Sequence, residues 1–462
     1  MSNRDWLNYD IVQHIVHQLP LKDALQLAVI SRMFYEAATR YALRDVVIGY
    51  GARKVSLFCA FVLADSSRPL LLRTLVLRGG VKDQPAVEAL AAVLSAARGL
   101  THLDINDYPA AIRKNQDLLQ AISSLTSLRV LVLRDILYSP HTLLSRMASD
   151  LKSLTLIFYG MDDYRVKIPP NFPGLEYLAL SYCDVSTRTF GGYVWPNVRS
   201  LRYDNIDIGD IEAARRAFPN VRELSICRIF GPFVVDWASL DHVIADREVL
   251  GLVTFAQPAR RLTIPVDEPW ERRDIAQNVI TISPVVLSTP YDPAIIEALP
   301  HCPRLKYLCL IINEDTSAEN VFKILDILPQ MVGDLSLTAF CLRIRRPYEV
   351  AYNDIDDVGS PHVPNLPTAI VESLPRIRYV GFDFANLSEP NPEWWFNARK
   401  QITGTAPEDL ELNIHKPPKC TFPVITRILE EMDEKTDVDA AISAKAPSIT
   451  HMFDATPRAF IQ

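Results

Sequence analysis

The chain has 462 residues, 48% hydrophobic and 22% charged, a balance that excludes wholesale disorder and leaves room for two or three domains or one long repeat array. Its 48 basic side chains stand against 55 acidic ones, a formal charge of −7, so there is no global basic field to hold nucleic acid. No window reaches the roughly 18 apolar residues of a membrane span, and "LFCAFVLA" at 57–64 is far too short. The expectation is a soluble, intracellular protein of the cytoplasm and/or nucleus, with no membrane partner. The seven cysteines, at 59, 183, 227, 302, 309, 341 and 420, are odd in number and form no CxxC pair. They read as reduced core thiols rather than a disulfide framework or a metal site.

The chain opens on an apolar stretch, "LNYDIVQHIVHQLPLKDALQLAVISRMF". It lacks the basic start, unbroken apolar core and small-residue cleavage site of a secretory leader. Ile11, Ile15 and Leu19 fall four apart with Val12 and Val16 beside them, which predicts an amphipathic helix ended by Pro20. Leu25, Ala28, Val29, Met33 and Phe34 trace a second apolar face, with Asp23 placed to cap its start. Two or three short helices in about 45 residues bury too little area to stand alone. They must lean on a neighbouring element, on a partner, or on both.

From about residue 70 the sequence repeats itself. The units run "LRTLVL" (72–77), "LTHLDI" (100–105), "LRVLVL" (128–133), "LKSLTL" (151–156), "LEYLAL" (175–180), "VRSLRY" (198–203) and "VRELSI" (221–226). Further units are "ARRLTI" (259–264), "LKYLCL" (305–310), "VGDLSL" (332–337) and "IRYVGF" (377–382). Their fourth residues, Leu75, Leu103, Leu131, Leu154, Leu178, Leu201 and Leu224, are 28, 28, 23, 24, 23 and 23 residues apart. Alternation within each unit predicts a short strand with one apolar face. The segments 84–99, 115–127, 210–220, 292–303 and 317–330 carry helical spacing. Strand and helix alternating at this short period favour a stacked, curved horseshoe over a doubly wound sheet. "VITI" (279–282) reads either way. "EPNPEWWFNARKQI" predicts a helix entered through Pro392, in which Trp394 and Trp395 pack as a cap, and 423–435 predicts another.

The units resemble leucine-rich repeats, L-x-x-L-x-L-x-x-N/C-x-L. Cys183 and Asn313 sit at the Asn/Cys position, while Ile136, Tyr159, Ile206 and Ile229 occupy it elsewhere, so the resemblance is to an irregular member. The opening stretch resembles an F-box, whose pattern is matched by Leu7, Asn8 and Asp10, by Ile11 and Ile15, by Leu19, Pro20 and Asp23, by Ala24, Leu25, Leu27 and Ala28, and by Ile30, Ser31, Arg32 and Phe34. Asn8 stands where the family has proline, Asp10 where it has glutamate and Ala24 where leucine is common. The fold implied is α/β: a small N-terminal helical F-box (1–48), then a curved leucine-rich-repeat-like strand-helix solenoid (49–412) with a protruding loop at about 341–368, then a C-terminal helix or cap and tail (413–462).

The F-box resemblance implies docking on a Skp-type adaptor, and through it a cullin, by Leu7, Ile11, Ile15, Leu19, Pro20, Leu25 and Leu27. The chain would then be a non-catalytic substrate receptor. The other reading is an interaction scaffold in which the first helices only cap the repeats. No GxSxG, GxxxxGK[ST], GxGxxG or HExxH occurs; His14 and His17 read as solvated helix residues, and no metal or cofactor is expected. The partner-binding surface is expected on the outward strand residues, a mixed-charge stripe suited to a protein target. Arg134, Tyr177, Arg202 and Tyr307 are the candidate target contacts, being residue types that dominate interface energetics.

Overall fold

The computed structural model describes residues 8–79, 83–106, 115–137, 139–159, 166–185, 187–208, 211–230, 233–265, 275–312 and 318–344, with shorter pieces at 81, within 370–383, and at 394–397 and 414–415. The chain divides into two compact units at Ser239 and Leu240. Leu7, most of the expected protruding loop and the helix expected at 423–435 lie outside the described residues.

In the first unit, α1 (Tyr9–Gln18), α2 (Leu21–Leu27) and α3 (Arg32–Arg44) form a small helical block. The Asn8 side chain accepts a hydrogen bond from the Asp10 N–H and starts α1. The Ser31 hydroxyl accepts from the Phe34 N–H and starts α3. Asp23 does not cap; α2 begins at Leu21 with Asp23 already inside its first turn, where a carboxylate suits the helix dipole. The block's own core is Val12, Val16, Ala24, Ala37 and Ala38, with Leu19, Met33, Phe34 and Tyr41 packed against it. Small residues fill its centre, which lets three short helices approach closely.

α3 runs without a break into β1 (Asp45–Ile48), which pairs in parallel with β2 (Thr74–Leu77). The sheet thus begins inside the 1–48 block. β3 (His102–Ile105), β4 (Val130–Ile136), β5 (Ser153–Phe158), β6 (Tyr177–Ser181), β8 (Ser200–Ile208) and β9 (Glu223–Phe230) follow as consecutive parallel neighbours, with the short β7 (Asp184–Val185) beside β8; β10 (Phe233–Val235) ends the unit. The regularly spaced leucines are direct partners across this ladder: Val46, Leu75, Leu103, Leu131, Leu154, Leu178, Leu201 and Leu224. All seven leucines are at most 1% exposed. Between strands lie α4 (Ala52–Leu63), α5 (Gln84–Ala96) and helices at Gln116–Ser123, His141–Arg146 and Ile211–Ala217. One carbonyl per unit accepts from two successive N–H groups of the next, as Arg73 does from Thr101 and His102, and Lys152 from Glu176 and Tyr177.

A second regularity explains the replaced Asn/Cys position. Asp135, Tyr182, Asn205 and Arg228, each four residues after its unit's leucine, have φ between 52° and 58°. A left-handed residue inserts an extra step into the alternation, so the next side chain turns back to the core. Ile136, Cys183, Ile206 and Ile229 are accordingly no more than 4% exposed. The β5 unit lacks this step. There Phe158, paired with Ile136, fills the column at 2% exposure, and Tyr159, assigned to it by spacing, is 65% exposed.

In the second unit β11 (His242–Ala245), β13 (Arg261–Thr263), β14 (Val286–Pro290), β15 (Tyr307–Ile312), β16 (Ala339–Ile344) and β17 (Tyr379–Asp383) are parallel neighbours, and β12 (Val253–Phe255) stands apart from them. Their ladder is Val243, Leu262, Leu287, Leu308, Phe340 and Val380. One reading left open is settled here and three expectations are corrected. "VITI" lies in the helix Ala276–Ile282, whose Val279 and Ile282 are buried with Ile275 at three- and four-residue spacing. "VGDLSL" is not a strand: the helix Ala318–Gly333 runs into it, and Thr338 and Ala339 make the paired bonds to Lys306 that start β16. Cys341–Ile344 therefore belong to a strand, not to a loop. Trp394 and Trp395 lie in the strand β18 (Trp394–Asn397), antiparallel to β17 and to β19 (Ile414–His415), rather than in a helix.

Candidate interaction surfaces

The helical block saturates its own core and still leaves large apolar side chains outside. Ile11 is 52% exposed, Ile15 37%, Leu25 43%, Val29 87% and Ile30 65%. α1 is apolar on two sides: Val12 and Val16 face α3, while Ile11 and Ile15 lie one step round the helix. Leu19 and Leu27 are half-buried and Pro20 is exposed. Leu19 belongs to the block's packing, and the Tyr41 hydroxyl donates to its carbonyl. Val29 and Ile30 were missed as surface residues because helical spacing carried one face through 25–34. The break was legible in Ser31, a helix-start residue.

Arg68 ties this block to the first repeat. It donates to the Tyr35 hydroxyl (3.1 Å) on α3 and to the Phe61 carbonyl (2.6 Å) on α4, and its guanidinium stacks 4.1 Å from the Phe61 ring.

On the outward strand face the four candidate target contacts fare differently. Arg134 makes a two-pronged pair with Asp104 across β3 and β4 (3.1 and 3.2 Å). The Asp104 side chain is 8% exposed and that of Arg134 32%. Replacing Arg134 by methionine leaves that carboxylate without its counter-charge. The expected loss is about 2 kcal/mol in urea unfolding, part of the charge being screened by solvent. Arg202 is exposed and donates to the Tyr177 hydroxyl. Tyr177 and Tyr307 are corrected as surface residues: they are 9% and 7% exposed, and burial pushes both hydroxyls up from their ordinary value. Tyr307 sits in a second apolar cluster with Cys309, Ile311, Ala339 and Cys341. In β15 and in Ala339–Leu342 of β16 both faces are thus apolar and buried, the pattern of a sheet covered on both sides.

His102 lies on the same face of the first unit. Burial holds it below its ordinary 6.5, against the raising effect of Asp104 and Asp45 and with a lesser lowering by Arg134. The folded state therefore binds this proton less readily than the unfolded chain, and stability falls as pH drops below about 6.5. His102→Gln should flatten that part of a stability profile, measured as urea midpoints between about pH 7.5 and 5.5.

Among the described residues no group of three or more His, Cys, Asp or Glu is placed to hold a metal ion, and no helix is long and apolar enough to cross a membrane. Cys59, Cys183, Cys302, Cys309 and Cys341 are buried thiols. The residues define a mixed α/β protein with long runs of parallel strands. No protein-family model matches the chain, and neither does any curated protein.

Proposed function

We propose that the chain is a non-catalytic substrate-recognition subunit of an SCF-type E3 ubiquitin ligase. In this reading α1–α3 are an F-box that docks on a Skp-type adaptor and through it a cullin, and the strand-helix repeats are an irregular leucine-rich-repeat-like solenoid that holds a protein target. Catalysis is then by proximity, the assembly raising the local concentration of target lysines.

The observation that carries this reading is the apolar surface of Ile11, Ile15, Leu25, Val29 and Ile30, outside a block whose own core is complete. Exposed apolar side chains grouped on one small element mark a protein-binding site. The second reading, a scaffold whose first helices only cap the repeats, draws on the direct passage of α3 into β1. A pull-down separates them. The full chain should capture a Skp-type adaptor and a version lacking residues 1–44, which spares β1, should not; absence of capture by the full chain leaves the scaffold.

A further inference from the structure

α4 buries one side and leaves a second, ordered stripe in water. Val55, Cys59 and Val62 form the buried side. Arg53, Lys54, Leu57, Ala60, Phe61 and Ala64 are all exposed, and their three- and four-residue spacing puts them together on the other side of the helix. Leu57 is 62% and Phe61 42% exposed, so two large apolar side chains stand one turn apart in solvent with an alanine beside each. From Arg53 to Ala64 the stripe runs about 16 Å, three helical turns.

Phe61 is fixed in place. The Arg68 guanidinium that stacks 4.1 Å from its ring also donates to its carbonyl and to the hydroxyl of Tyr35 on α3. Tyr35 is itself 42% exposed, which brings a second aromatic side chain to the same edge. A ring held before contact loses little freedom on binding. Charge is one-sided along the stripe. Arg53 and Lys54 lie in the first turn of α4, which holds no acidic residue, and neither has an ion-pair partner among the described residues. Asp65, just past the other end, is already engaged by Ser67 and Arg68.

We infer that α4 docks an acidic amphipathic helix of a partner protein. The partner's apolar stripe lies on Leu57, Ala60, Phe61 and Ala64, the two alanines leaving room for its larger side chains, and its carboxylates meet Arg53 and Lys54. Charge complementarity selects this occupant, because a basic helix would set like charges against Arg53 and Lys54. A second copy of α4 is the poorer fit: the acid it offers at that end is Asp65, which Arg68 and Ser67 already hold. The surface lies outside α1–α3 and goes beyond the receptor proposal, standing with either reading of those helices.

The test is selection of the full chain against a displayed library of helical peptides, with leucine at three- and four-residue spacing and glutamate, lysine or glutamine drawn at random at the flanking positions. Enriched peptides should be acidic, and their affinities are then measured by fluorescence polarisation. Leu57→Gln with Phe61→Gln should weaken binding about tenfold or more, and Leu57→Gln alone, at a site already in water, should show part of that loss. Arg53→Glu with Lys54→Glu should abolish binding of the acidic peptides and accept the same peptides with lysine in place of glutamate. Ile15→Asp with Leu25→Asp should leave peptide binding unchanged. Circular dichroism checks that each variant is folded. No enrichment, enrichment without an acidic excess, or equal binding to the folded Leu57 and Phe61 double variant overturns the inference. Loss of peptide binding in the Ile15 and Leu25 variant overturns it too, by moving the peptides onto α1–α3. A wild-type dimer in sedimentation that the Leu57 and Phe61 variant renders monomeric would assign the stripe to a second copy instead. Adaptor capture, scored on the same proteins, bears on the ligase reading alone.

Discussion

Aspartate at both Ile15 and Leu25 should abolish adaptor capture while leaving the chain folded. Both side chains already stand in water, at 37% and 43% exposure, so a charge there costs the isolated protein little. In a docked complex each would be a desolvated apolar anchor worth roughly 2 kcal/mol, and the pair should weaken binding about a thousandfold. Ile15 alone should show a substantial share of that loss. The contrast with Val16 sharpens the test. Val16 is 0% exposed in the block's core, so Val16→Asp buries an unpaired charge and should unfold the block outright. Leu19→Asp is a poorer probe, because Leu19 packs against the block's core and its loss would mix docking with stability. Titration calorimetry against a Skp-type adaptor, with circular dichroism on each variant, reads the two effects separately.

Adjacent alanine substitutions at Phe158 and Tyr159 should differ sharply in stability. Phe158 is 2% exposed and lies in register with Ile136 inside the sheet's buried column; Tyr159 is 65% exposed. Removing a buried phenylalanine ring costs about 3–5 kcal/mol through lost transfer energy and the cavity left behind. The Tyr159 change should fall within about 0.5 kcal/mol of neutral. The repeat spacing alone assigns the core position to Tyr159, so urea unfolding of these two variants asks whether the β5 unit lacks the left-handed step of its neighbours. The reverse ordering would place the left-handed step in this unit too.

The long parallel ladder was legible because its core positions carry leucine at near-constant intervals. Leu75 through Leu224 are in register as the spacing implies, and the helices between them lie where apolar residues recur every three or four positions. Strands whose core residue is not leucine within that motif were missed: β1 with Val46, β11 with Val243 and the pairing position of β16, which is Phe340. β14 hid behind Pro284 and a β-branched helix at 276–282 whose composition suits a strand. Here tertiary burial of one helical stripe overrides local propensity. The site was half legible. Ile11, Ile15 and Leu25 fall on the apolar pattern, but periodicity does not say which of two adjacent apolar stripes on α1 faces inward. Only the packing of α3 through Ala37 and Ala38 decides that Val12 and Val16 do. Tyr177 and Tyr307 show the opposite limit. Alternation places them on the outward face, yet burial of that face depends on neighbouring strands and on side chains such as Arg202 and Cys341, which strand spacing does not reveal.

The most direct test of the receptor proposal is titration of the purified full-length chain with a purified Skp-type adaptor. Saturable one-to-one binding that disappears with Ile15→Asp and Leu25→Asp is the predicted result. No binding by the wild-type chain, or binding unchanged in that folded variant, would contradict it.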